Sequence, residues 1–147
     1  MATIILKTTV KGNYLRVIEQ FDRKLFEALA PRQGKMEVVE FTGSKKGDRV
    51  HVRFISPFKA DWVSKITDDY QDSRRAYFVD EGDVMPFGLA FWEHQHIVEK
   101  LDEDTCQIID HIRYKGKNTL ITLVLYPLFY FGFRPRKNIY QSFFGRP

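Results

Sequence analysis

From Phe91 to Val98 the chain reads Phe-Trp-Glu-His-Gln-His-Ile-Val, placing Trp92, His94, His96 and Val98 at every second position with Glu93 and Gln95 between them. A strand sends successive side chains to opposite faces. The spacing therefore predicts a strand whose inner face carries an indole and two imidazoles. A second alternating run follows, in which Cys106, Ile108, Asp110, Ile112 and Tyr114 share one face. Asp102-Glu103-Asp104 is a short polar connection between the two runs, so a hairpin is predicted with a carboxylate and a phenol beside the imidazoles. Buried imidazoles need hydrogen-bond partners, and these residues supply them. Together the two runs predict the wall of a pocket.

The rest of the chain extends this reading. Residues 4–10 form a short apolar and Thr-rich strand closed by Lys11-Gly12-Asn13. Leu15, Val17, Ile18, Phe21, Leu25, Phe26 and Leu29 then recur at spacings of three and four, predicting two short helices. Asp22 is positioned to cap the second near Arg23, and Ala30-Pro31 ends it. Residues 36–42, 49–56, 60–67, 75–81, 89–100 and 105–114 are strand-length segments joined by turn residues at 43–48, 57–58, 68–73, 82–88 and 102–104, the signature of an antiparallel meander. Alternation puts Val50, Val52 and Phe54 on one face, Trp62, Ser64 and Ile66 on one face, and favours Phe78 and Asp80 inward. After Lys117-Asn118 the apolar stretch 120–133 and the following residues to Phe144 predict a C-terminal helix bent by Pro135, with Pro127 either in its first turn or at a kink, according to where the helix begins. The β-branched Thr119, Ile121, Thr122 and Val124 are also compatible with an extended opening.

At 147 residues the chain reads as a single domain, 1–147, with one core. Its 13 Phe and 7 Tyr exceed what so small a core needs and point to an aromatic-lined cavity rather than an exposed aromatic surface. A net charge of +4 permits loose attraction to anionic partners without nominating one. The single cysteine, Cys106, excludes an internal disulfide and agrees with a reducing compartment. The first residues lack the basic start and apolar run of a secretory signal, so the expected location is cytoplasmic. The stretch 120–133 falls short of the roughly 20 residues of a membrane-spanning helix, so no stable membrane insertion is expected.

One strand, two short helices, a six-stranded meander and a terminal helix follow the order of the helix-grip fold. The spacing Phe78-x-Asp80, Pro86-Phe87, Trp92-x-His94-x-His96, Asp110-x-Ile112-x-Tyr114 and Arg136 resembles a bacterial branch of the START and polyketide-cyclase superfamily (SRPBCC), over nearly the whole chain. The resemblance implies an α+β fold in which a seven-stranded curved antiparallel sheet wraps around a long C-terminal helix. It also implies a deep cavity between them that accepts hydrophobic ligands. Its members include lipid-transfer domains, plant hormone and allergen proteins and aromatase/cyclase domains, so fold alone leaves function open. Pro127 and Pro135 depart from the pattern by interrupting the terminal helix.

Asp80, His94, His96 and Asp110 admit three chemistries: a buried hydrogen-bond network, an acid–base pair, or a metal site. The network is the expected one, with the imidazoles oriented by carboxylates or by Tyr114, and neither a metal nor a cofactor is expected. The primary functional expectation is a domain binding a hydrophobic or aromatic small molecule, lipid- or polyketide-like. Trp62, Phe78, Trp92 and Tyr114 would supply contact area, and Asp80, His94, His96 and Asp110 would fix the ligand's polar end. The alternative is a cyclase, dehydratase or hydrolase using His94 or His96 as proton carrier and Asp110 to orient it. A nucleophile-elbow serine and a phosphate loop are both absent, and Cys106 reads as core. Arg74-Arg75 lie among Asp68, Asp69 and Asp72, which argues against nucleic acid. Phe129, Tyr130, Phe131 and Phe133 beside Arg134, Arg136 and Lys137 fit either a helix face packed on the sheet, which is preferred, or peripheral contact with anionic headgroups. The sequence sets no oligomeric state.

Overall fold

The computed structural model describes residues 1–30, 36–56 and 58–147; the expected helix stop at Pro31 and turn at Pro57 lie outside the described residues. In chain order the elements are β1 (Ala2–Lys11), α1 (Tyr14–Glu19), α2 (Arg23–Leu29), β2 (Met36–Phe41), β3 (Arg49–Phe54), β4 (Ala60–Gln71), β5 (Arg75–Val84), β6 (Leu89–Lys100), β7 (Thr105–Gly116), α3 (Thr119–Phe133) and α4 (Arg136–Phe144). The seven strands make one antiparallel sheet in the order β1-β7-β6-β5-β4-β3-β2. The meander is thus completed by β1, which pairs with the last strand from Ala2 opposite Tyr114 to Lys11 opposite Thr105.

Side-chain caps fix where α1, α2 and α3 begin. Asn13 Oδ1 accepts from Leu15 N at 3.0 Å, Asp22 Oδ1 from Leu25 N at 3.1 Å and Asn118 Oδ1 from Ile121 N at 2.9 Å, each satisfying an amide the helix itself leaves free. The cap at Asn118 and the Thr122 hydroxyl, which donates to Asn118 O at 3.1 Å and accepts from Gly116 N at 2.9 Å, exclude the extended opening. The terminal helix is long, as the resemblance implies, and is interrupted at Arg134-Pro135, both of which keep right-handed helical backbone angles. Pro127 lies within α3.

β4 and β5 run further than expected, so Asp68 to Gln71 and Gly82 to Val84 are strand. The turn contracts onto Asp72, whose Oδ1 accepts from Arg74 N at 2.8 Å and Arg75 N at 2.9 Å. Tyr70 and Tyr77 stack across the ladder at 5.3 Å and carry the pairing up to that turn. Register shifts at Val63/Ser64 and Ile66/Asp68 bend β4, which helps the sheet to curve.

Helix α3 packs on β7 and β1, and α4 on β1 and α2. Gly116 permits this approach, because a Cβ there would stand 2.8 Å from Thr122 N. One apolar cluster gathers Tyr14, Val17, Leu25, Val98 and Ile108 beneath α1 and α2; the other gathers Ile4, Trp62, Trp92, Ile112, Tyr114 and Phe129 beneath α3. Cys106 belongs to the first cluster, and burial pushes its thiol up to about 11, which leaves it an inert core residue.

Candidate functional site

Between the concave face of the sheet and helices α2, α3 and α4 lies a cavity of about 780 Å³. Trp62, Phe78, Trp92, Phe129 and Phe133 give it aromatic walls, and Asp80, His94, His96 and Arg136 form a polar patch on the same lining. The indoles of Trp62 and Trp92 meet edge to face at 4.8 Å, with Phe129 at 6.3 Å and 5.2 Å from them. Such interlocked rings hold the wall in one shape.

Strand register assembles the polar patch. Asp80 on β5 lies opposite His94 on β6, and His96 on β6 lies opposite Asp110 on β7. The period of two puts all four on the inner face. Their hydrogen bonds run diagonally: His94 Nε2 to Asp110 Oδ1 at 2.8 Å, and His96 Nε2 to Asp80 Oδ2 at 2.6 Å. The two imidazoles stack at 3.7 Å with opposite sense, and Phe78 covers the other side of His96 at 4.3 Å. Trp92 Nε1 donates to Asp80 Oδ1 at 3.3 Å. From α4, Arg136 Nη1 and the Tyr140 hydroxyl each reach Asp110 Oδ1 at 3.3 Å.

Electrostatics assign the protons. Burial alone would raise the pKa of Asp110, but the hydrogen bond from His94 and the positive charge of Arg136 outweigh it and hold the carboxyl well below the usual range. Asp80 is lowered in the same way, with the His96 hydrogen bond overcoming burial. Burial, followed by repulsion from His96, lowers His94 to about 4 against the pull of Asp110, so His94 is neutral near pH 7. Burial and the Asp110 charge raise Tyr140, which remains a donor. Arg136 stays charged because Tyr140 and Asp110 more than offset its desolvation. An ionised Asp80 accepts from His96 Nε2, which leaves the ring's Nδ1 to be accounted for. That Nδ1 is buried and has no hydrogen-bond partner among the described residues.

Six of the sequence-predicted site residues, Trp62, Phe78, Asp80, Trp92, His94 and His96, line the cavity. The other two do not. Asp110 is buried behind His94 and acts on the cavity through it and Arg136. Tyr114 donates its hydroxyl to Thr122 O at 2.9 Å, tying β7 to α3 instead of orienting an imidazole. Two residues were missing from the expected site: Arg136, read as a surface cation, and Tyr140. Their spacing of four on one helix held the signal, since it sets a cation and a phenol on one face toward a buried carboxylate.

Asp80, His94 and His96 also present ligand atoms within 4.8 Å of one another, as a metal set would. The stacked rings, only 27° from parallel, aim their in-plane lone pairs side by side, and carboxylates occupy both Nε2 atoms. This geometry fits a hydrogen-bond network better than convergent coordination.

No protein-family model and no curated protein matches the chain. Solved structures do. Truncated norcoclaurine synthase from Thalictrum flavum superposes with a TM-score of 0.70 at 14% identity, over 99% of this chain and 95% of the synthase. The Zhui aromatase/cyclase from a Streptomyces species gives 0.70 at 13% identity over 96% of this chain and 92% of that one. The protein XoxI from Bacillus cereus gives 0.69 at 14% identity over 98% and 96%. At these identities the likeness is one of fold, and with the element order and sheet topology above it establishes that the chain has the helix-grip fold.

Proposed function

We propose that the domain binds a hydrophobic or aromatic small molecule, lipid- or polyketide-like, with its polar end against His96. The observation that carries this reading is an aromatic hollow of about 780 Å³ whose lining holds the polar patch of Asp80, His94, His96 and Arg136, with one ring nitrogen, His96 Nδ1, left without a hydrogen-bond partner among the described residues. An unpaired buried polar atom costs about 1–3 kcal/mol, so a guest whose hydroxyl pairs with this patch recovers energy of that order. Burial of one aromatic ring system, about 150–250 Å² at ~25 cal/mol per Å², supplies roughly 4–6 kcal/mol more. The guest is therefore an apolar body carrying a hydroxyl. Norcoclaurine synthase, which shares the fold, has been solved in complex with dopamine and hydroxybenzaldehyde, both aromatic and hydroxylated, and this supports the reading. A thermal-shift comparison tests it: 2-naphthol raises the melting temperature, while 2-methylnaphthalene, of similar shape without the hydroxyl, raises it less. No stabilisation by either compound defeats the proposal.

The short bond between His96 and Asp80 favours one further reading, acid–base catalysis of the cyclase, dehydratase or hydrolase type. His96 would serve as the proton carrier for the bound substrate, with Asp80 orienting the ring and Arg136, on the same lining, facing the charge that develops. His96→Asn then abolishes turnover of a cyclisable substrate while that substrate still binds. Equal turnover by variant and wild type removes His96 from the chemistry.

A further inference from the structure

Helix α3 is apolar on both of its sides, and the sheet covers only one. Leu125 and Phe129 face the core, whereas Leu120, Leu123, Val124, Leu128 and Phe131 recur at spacings of three and four on the opposite side, 57–69% exposed. No charged residue interrupts the helix from Thr119 to Phe133. A helix apolar all round is ordinarily buried in a core or in lipid, and a contiguous exposed apolar surface marks an interaction site.

Charge identifies what covers it. Exposed Lys115 and Lys117 precede α3, and exposed Arg134 and Lys137 follow it. Residues 111–147 contain seven Lys or Arg and no Asp or Glu, against a net charge of +4 for the whole chain, so the preceding part is net acidic. The cations are concentrated around the apolar stripe. Tyr126 and Tyr130, stacked on the helix at 6.3 Å, add the amphipathic rings favoured at a membrane interface.

We infer that the outer face of α3 docks on an anionic lipid bilayer, with the stripe at the headgroup–acyl boundary and the flanking Lys and Arg on lipid phosphates. The helix lies on the bilayer and does not cross it. Its 15 residues span about 22 Å at 1.5 Å per residue, short of a hydrocarbon core of about 30 Å. Among the described residues no helix is long and apolar enough to span. A second copy of the chain is the poorer occupant, because face-to-face α3 helices would bring two sets of like charges together. Leu128 and Phe131 belong to both the stripe and the cavity lining, so the docked face adjoins the hollow. The inference stands independently of what the hollow holds.

Vesicle flotation tests it. The protein floats with phosphatidylcholine vesicles containing about 30% phosphatidylglycerol, stays behind with phosphatidylcholine alone, and is released at about 1 M salt, where the Debye length is about 3 Å. Leu120→Gln/Leu123→Gln and Lys115→Gln/Lys117→Gln each weaken partitioning by about tenfold or more. These exposed sites lie outside the cavity lining, and unchanged circular dichroism and melting temperature verify that the variants fold. Failure of the wild type to float with anionic vesicles, or partitioning of the variants equal to wild type, overturns the inference. So does a dimer in analytical ultracentrifugation that the Leu pair abolishes without any flotation, since the occupant is then a second copy.

Discussion

Replacing Asp110 by Asn removes one negative charge and almost no volume from the most buried junction of the site. Asp110 Oδ1 meets His94 Nε2 at 2.8 Å and Arg136 Nη1 and the Tyr140 hydroxyl at 3.3 Å each, and an amide oxygen can still accept from these donors. What the amide cannot do is neutralise Arg136, whose side chain is only 13% exposed. Removing one partner of a buried ion pair costs about 3–5 kcal/mol, and the residual exposure of Arg136 toward the cavity places Asp110→Asn at the lower end, about 3 kcal/mol. At about 3–4 °C per kcal/mol for a chain of this length, the melting temperature falls by about 10 °C. Asp110→Asn combined with Arg136→Met removes both charges and returns to within about 1 kcal/mol of wild type, because no charge is then left buried without its partner. Urea titration of the four proteins gives the coupling directly as a double-mutant cycle. A loss below about 1 kcal/mol for Asp110→Asn, or a double variant no more stable than the single one, refutes the buried-pair account.

The pH dependence follows from His94, whose folded-state pKa of about 4 lies below its ordinary value. Between pH ~6.5 and ~4 the unfolded chain binds a proton that the folded one refuses. His94 therefore contributes stability that is fully present above pH ~6.5 and lost on acidification to pH ~4, by roughly 2–4 kcal/mol. Melting curves of wild type and His94→Gln across this range check it, and the variant should be flatter. Phe129→Ala empties a position ringed by Trp62, Trp92 and Tyr114, at a cost of about 3–5 kcal/mol in urea unfolding. Gly116→Ala sets a methyl against Thr122 N and pushes α3 off β7, costing about 1–3 kcal/mol and lowering the melting temperature.

The cavity wall was legible because Trp92, His94 and His96 alternate in a strand joined by a short connection to the run holding Asp110, and a hairpin pairs such runs side by side. Phe78 and Asp80 joined them once the meander order put β5 next to β6. Side-chain pairing was less accessible. Alternation gives a face, but the diagonal bonds from His94 to Asp110 and from His96 to Asp80 depend on how two stacked rings are turned. Tyr114 shares the face of Asp110 and yet serves α3, because β7 extends past the cavity to the start of that helix. Arg136 and Tyr140 escaped because the rotation of α4 is set after the break at Arg134-Pro135, which no periodicity crosses. Asp68 to Gln71 resemble a turn in composition and are strand because of cross-strand partners. Of the terminal aromatics, Phe129 and Phe133 pack inward, while Phe131 is 63% exposed.

The most direct test of the cavity as a binding site uses the chain's two tryptophans, Trp62 and Trp92, which both stand on its wall. Their fluorescence is titrated with 2-naphthol in wild type and in Ser64→Phe, where a ring built from the buried wall of β4 occupies the hollow. Binding in the cavity gives a saturable one-to-one change in wild type and none in a Ser64→Phe protein that still melts cooperatively. No saturable change in wild type, or the same titration curve in both proteins, contradicts it.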